Sequence, residues 1–134
     1  MSRLRAAAPR GLAGLFAVAG VLHVVWPSFF DTLMPRVVPA RFHRPLIYGS
    51  GVAELVCAYG LARRTRWASA ASTALLLAVW PANLRMALDA GTGRNPGDMD
   101  SAAVAWGRMP MQLPLLWAAR QAAPSRAATV TSGP

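Results

Sequence analysis

Apolar residues fall in long blocks along this chain, and the polar positions lie between the blocks rather than alternating with them. Residues 11–26 carry no formal charge, residues 67–84 carry none, and in residues 45–62 the only charged side chain is Glu54. A helix rises ~1.5 Å per residue and the hydrocarbon core of a bilayer is ~30 Å thick, so runs of about 18 apolar residues read as spans. A fourth run, 106–122, is interrupted by Arg108, Pro110 and Pro114. None of the blocks carries the polar stripe that a helix of a soluble bundle turns to water. The pattern predicts an all-α chain, an integral membrane four-helix bundle. It forms one domain over residues 1–123, with spans at about 10–26, 45–62, 67–88 and 106–122.

The connections fit short antiparallel spans. Pro27 suits a helix exit, since it lacks an N–H and has a fixed φ. The outer loop 27–44 contains Phe29, Phe30, Leu33 and Met34, a spacing that predicts a short helix lying in the membrane interface. Arg63-Arg64-Thr65-Arg66 leaves room only for a hairpin turn. Pro81 inside the third span is tolerated if a neighbour satisfies the backbone it frees. Residues 89–103 are rich in Gly, Asp and Asn and read as an irregular loop, and 124–134 as a flexible C-terminal tail. Trp26, Trp67 and Trp106 fall at the expected interfaces. Ala17-Val18-Ala19 has the small residues of a signal cleavage site, but cutting there would strand half a span, so the segment is read as retained.

Composition sharpens the picture. Of 134 residues 54% are hydrophobic and 14% charged, against about 25% charged in soluble domains. The net charge of +9 comes from 14 arginines against five acids. These arginines flank apolar runs instead of forming one basic face among aromatics, which excludes nucleic acid as the partner. Arg3, Arg5, Arg10, Arg63, Arg64, Arg66, Arg120 and Arg126 fall on one side. The other side mixes Arg36, Arg41, Arg44, Arg94 and Arg108 with Asp31, Asp89, Asp98 and Asp100. The positive-inside rule then puts both termini in the cytoplasm. A single cysteine, Cys57, excludes a disulfide framework and any Cys-x-x-Cys pair.

Counting depth along each span brings one polar side chain from each into the outer half: His23, Glu54, Asn83 and Gln112. Ser50, Glu54 and Cys57 share a face, as do Gly20 and His23, and Arg108 and Gln112. Arg85 lies at the rim. A carboxylate facing lipid is too costly, so Glu54 should face the interior. There it is either a neutral acid donating to Asn83 or His23, or an anion paired with Arg85, Arg108 or protonated His23. The candidate ligand-binding set is His23, Ser50, Glu54, Asn83, Arg85, Arg108 and Gln112, expected to line one outward-opening cavity; no catalytic residue and no metal ligand set is expected. The plain alternative for Asn83 and Gln112 is helix-to-helix bonding, and for Arg85 and Arg108 snorkelling to the surface.

Read in order, AGVLHVVWPSFFDTLMP, YGSGVAELVCAYGL, RRTR, AVWPANLRMAL and RMPMQLPLLWA resemble the DoxX-like family of small bacterial four-helix membrane proteins across roughly residues 10–120. That resemblance implies a multi-pass protein of the bacterial inner membrane. It also implies an accessory role in a membrane redox or stress-response complex, with a membrane or peripheral oxidoreductase as partner and quinone as a bound ligand. No cofactor fingerprint is intrinsic to the chain. Two other functions fit the residues: a non-enzymatic scaffold or chaperone-like protein, and a small transporter or proton pathway using Glu54. Neither the oligomeric state nor any enzymatic activity is legible.

Overall fold

A computed structural model describes residues 2–123. The expected tail, 124–134 with Arg126, lies outside the described residues. Five α-helices follow one another: α1 (Ser2–Val25), α2 (Pro27–Asp31), α3 (His43–Ala62), α4 (Ala68–Leu88) and α5 (Ala102–Gln121). Two 3-10 turns, Ala40–Phe42 and Gly97–Asp100, precede α3 and α5. No strand occurs among the described residues.

The four long helices pack as a ring. α1 lies closely against α3 and α4 closely against α5, while α3 meets α4 and α1 meets α5 more loosely. Three segments are long and apolar enough to cross a membrane: Arg3–Val25, Ala40–Ala62 and Ala68–Leu88. α5 misses that mark because Arg108, Gln112, Arg120 and Gln121 dilute its apolar residues, although Pro110 and Pro114 leave it helical throughout. α1 begins well before the expected span start at residue 10. Helicity continues through Arg3, Arg5 and Pro9, so helix and apolar span do not coincide.

Local chemistry explains the ends. Pro27 opens α2 in its first turn, where a missing N–H costs nothing, and Trp26 breaks the helix before it (φ −134°, ψ 55°). α3 closes in a Schellman turn: Thr65 N–H donates to the Gly60 carbonyl (3.0 Å) and Arg64 N–H to that of Leu61 (3.2 Å). Arg64 takes the left-handed position (φ 53°) that glycine usually fills, a conformation costing an L-residue about 1–2 kcal/mol. The ring of Trp67 lies over Gly60, whose Cβ would come within 2.5 Å of it. On the opposite end His43 ties the α2–α3 connection together, its Nδ1 2.8 Å from Asp31 Oδ1 and its Nε2 2.9 Å from the Val38 carbonyl. The α4–α5 loop is likewise anchored: Asp100 accepts from the Gly93 and Asn95 amides, and the buried Asn95 side chain donates to the Met86 carbonyl (2.9 Å).

The apolar core sits at the α3–α4 turn end. Leu12, Ala13 and Phe16 of α1 meet Cys57, Ala58 and Leu61 of α3, Ala68 and Leu76 of α4, and Ala118 and Ala119 of α5. Large apolar side chains also face outward all round. Val18 and Val25 on α1, Val56 and Tyr59 on α3, Leu77 and Trp80 on α4, and Met111 and Leu113 on α5 are exposed. A soluble bundle would present polar residues there.

Candidate functional site

Beyond the apolar core, α1 and α3 approach closely enough to bring His23 and Glu54 together. A Cβ on Gly20 would lie 2.8 Å from the Gly51 carbonyl oxygen, and one on Gly51 would lie 2.8 Å from His23 Cβ. Each glycine precedes its polar residue by three positions, so glycine and polar side chain share one helix face. His23 Nδ1 stands 2.9 Å from Glu54 Oε2. The same nitrogen stands 2.9 Å from the Ala19 carbonyl, one turn back on its own helix. The N–H is aligned on that carbonyl and not on the carboxyl group. Glu54 Oε2, in a residue only 7% exposed, therefore shares His23 Nδ1 with the Ala19 carbonyl and meets no other donor among the described residues. Phe30 of α2 is stacked on the imidazole at 3.6 Å between ring centroids and 20° between planes.

Asn83, Arg108 and Gln112 form a separate group between α4 and α5. Asn83 Nδ2 donates to Gln112 Oε1 (3.3 Å), and Arg108 donates to Asn83 Oδ1 (3.5 Å). Gln112 Nε2 donates to the Leu76 carbonyl. Pro81 removes the N–H that would bond the Leu77 carbonyl, one residue on, so Gln112 reaches α4 where its helical bonding is interrupted. Gln112 thus bonds the carbonyl next to the one that Pro81 frees. Arg108 also reaches Met99 Sδ at 3.9 Å.

The hydrogen bonds and ion pairs of the described residues join the seven candidates in these two groups, with two residues apart. Ser50 is half-buried one turn from Glu54 and makes no described side-chain bond. Arg85 turns to its own helix, Nε 3.0 Å from Asp89 Oδ2, and Asp89 also accepts from Arg94 (3.3 Å). A cavity of about 170 Å³ beside Arg85 is lined by Arg36, Asp89, Arg94 and Asn95. A second cavity lies at the other end. Neither of these two cavities is lined by His23, Glu54, Asn83 or Gln112, and the bonds among those four fall in two groups. No set of three or more potential metal ligands occurs among the described residues. Phe30 and the Gly20–Gly51 contact escaped the reading of motifs. Their signal was the repeated Gly-x-x-polar spacing and the aromatic pair just after Pro27.

Residues 12–123 match the family described as Domain of unknown function (DUF8561). The chain belongs to that family. This match overturns the resemblance to the DoxX-like family, which finds no support. The motifs that suggested it are ones that physics imposes on many small membrane bundles: Trp-Pro at a span exit, arginines in a tight turn, glycines in a helix crossing. The redox or stress-response role and the oxidoreductase partner rested on that resemblance and lose their ground with it. No curated protein and no solved structure matches the chain.

Proposed function

We propose that this DUF8561 protein is a multi-pass membrane protein, a four-helix bundle of α1, α3, α4 and α5 that holds the polar head of a small amphiphile at Glu54 and His23. α5 is counted as the fourth span because it packs along α4, closes onto α1 and exposes Met111, Leu113 and Trp117 outward. The arginine distribution supports a cytoplasmic location for both termini. In a Cys57→Ala background, Arg66→Cys should resist an impermeant thiol reagent on intact cells and Thr92→Cys should react. The reverse pattern would invert the topology.

The observation that carries the ligand reading is the buried Glu54 Oε2, whose near neighbour His23 Nδ1 is shared with the Ala19 carbonyl and which meets no aligned donor. A buried acceptor left unmet costs about 1–3 kcal/mol, more when charged. A hydroxyl carried by an apolar body would meet an ionised carboxylate, and a carbonyl would meet a protonated one. Quinol and quinone heads offer these two groups, as do other hydroxylated or carbonyl-bearing lipids. Phe30 on the imidazole face supplies an aromatic surface against which such a head can rest. Protein extracted into native nanodiscs should carry one such amphiphile, identified by mass spectrometry. Glu54→Leu should lose it, and Glu54→Gln, which keeps shape and hydrogen-bonding capacity, should retain part of it. Equal lipid content in wild type and Glu54→Leu would remove this reading.

A second reading, a scaffold, is favoured by the Asn83–Gln112–Leu76 chain, whose bonds are all used between helices. A proton pathway has less support. Below Glu54 the interior is filled by Cys57, Ala58, Leu61 and Leu76, with no second acid.

A further inference from the structure

The cavity at the α3–α4 turn end differs from the one beside Arg85 in its charges. It measures about 270 Å³ and lies where the start of α1, the end of α3 and the end of α5 converge. Arg5, Arg10 and Arg64 line it, and no carboxylate is among its lining residues. At the opposite end Asp89 stands against both Arg85 and Arg94. Three guanidinium groups thus face one hollow with no carboxylate among its described lining residues, an arrangement that favours an anion between them. The Schellman turn is what carries Arg64 there, in a backbone conformation that glycine would adopt more easily. The floor is apolar, with Pro9 and Leu61 buried beneath the arginines. The volume falls below the roughly 300–1,000 Å³ of pockets that engulf drug-sized ligands. It suits a headgroup whose remainder lies outside.

We infer that Arg5, Arg10 and Arg64 form a binding site for a phosphate-bearing anion, with a phospholipid headgroup or free phosphate as its source. Guanidinium groups match phosphate oxygens through paired N–H donors, and basic pockets between spans are where anionic lipid heads bind. The apolar floor favours the lipid, since a free anion has no use for it. The inference rests on the membrane reading above but not on the Glu54 ligand.

The test uses full-length protein in nanodiscs of phosphatidylcholine doped with phosphatidylglycerol, with lipids released from the purified complex and quantified. Phosphatidylglycerol should be enriched several-fold over its bulk fraction around the wild type. The triple variant Arg5→Gln, Arg10→Gln, Arg64→Asn should abolish the enrichment. Asparagine tolerates the left-handed conformation at position 64, so the variant remains foldable. The variant Arg36→Gln, Arg41→Gln, Arg44→Gln removes the same charge at the other end and should keep the enrichment. In a detergent arm, thermal stabilisation by inorganic phosphate that the first variant loses would identify the free anion as the source. Equal enrichment in both variants and wild type, equal loss in both, or no enrichment together with no phosphate effect would overturn the site. Failure of the wild type to enter nanodiscs would overturn the membrane reading and the site with it.

Discussion

Gly51→Ala is expected to destabilise the bundle by about 1–3 kcal/mol, the usual cost of overpacking. The added methyl would lie 2.8 Å from His23 Cβ and 3.0 Å from the Gly20 carbonyl oxygen. Neither atom is the movable end of a long side chain, so the helices themselves must separate. Gly49→Ala, two residues earlier on α3, is the matched comparison because its Cβ meets nothing within 4 Å. There the gain in helix propensity, about 0.8–1.0 kcal/mol in water, should leave stability unchanged or raised. Reversible unfolding in mixed micelles followed by circular dichroism measures both. If the two alanines behave alike, α1 and α3 are not in the close contact described, and His23 loses its path to Glu54.

Gln112→Leu should cost about 1–2 kcal/mol by the same assay. It removes the donor to the Leu76 carbonyl and leaves the Asn83 amide facing an apolar side chain. The penalty comes more from the orphaned partner than from the lost bond. Asn83→Leu with Gln112→Leu should therefore cost less than the sum of the singles. Couplings of this kind between membrane helices average about 0.6 kcal/mol and reach about 1.7. Additive losses would mean that the two side chains do not bond to one another, and an unchanged Gln112→Leu would mean that the Leu76 carbonyl needs no second donor.

Much of the fold was legible because apolar block length and proline placement report helix extent directly. The turn at Arg63–Arg66 and the exit at Pro27 came from the same source. The start of α1 was not, since a helix can run on through Arg3 and Arg5 after the apolar block has ended. For the site, face-sharing grouped Arg108 with Gln112 and Gly20 with His23 but named no neighbour; the first two reach Asn83 and the second two meet α3. Depth counting located the polar residues along the spans but could not tell which spans touch. That depends on α1–α3 and α4–α5 being the tight pairs, which no periodicity encodes. The partner of Glu54 was undecidable for the same reason. His23, Arg85 and Arg108 were equally available on paper, and Arg85 is taken by Asp89 only because the chain brings them one turn apart on α4. Kinship was the other failure, because short motifs that any small bundle needs cannot identify one family.

The unequal packing of the ring has a consequence for biogenesis. The contact surface between α1 and α3 is complete once the first 62 residues have left the ribosome, and α4 and α5 are likewise neighbours in sequence. Each pair closes over a local connection, residues 26–42 and 89–101, and loop-closure entropy grows only slowly with such lengths. Only the α1–α5 seam joins distant parts of the chain, and it is one of the two looser contacts. Synthesis thus delivers two preassembled halves, and the late step is their docking across the apolar core at the α3–α4 turn end.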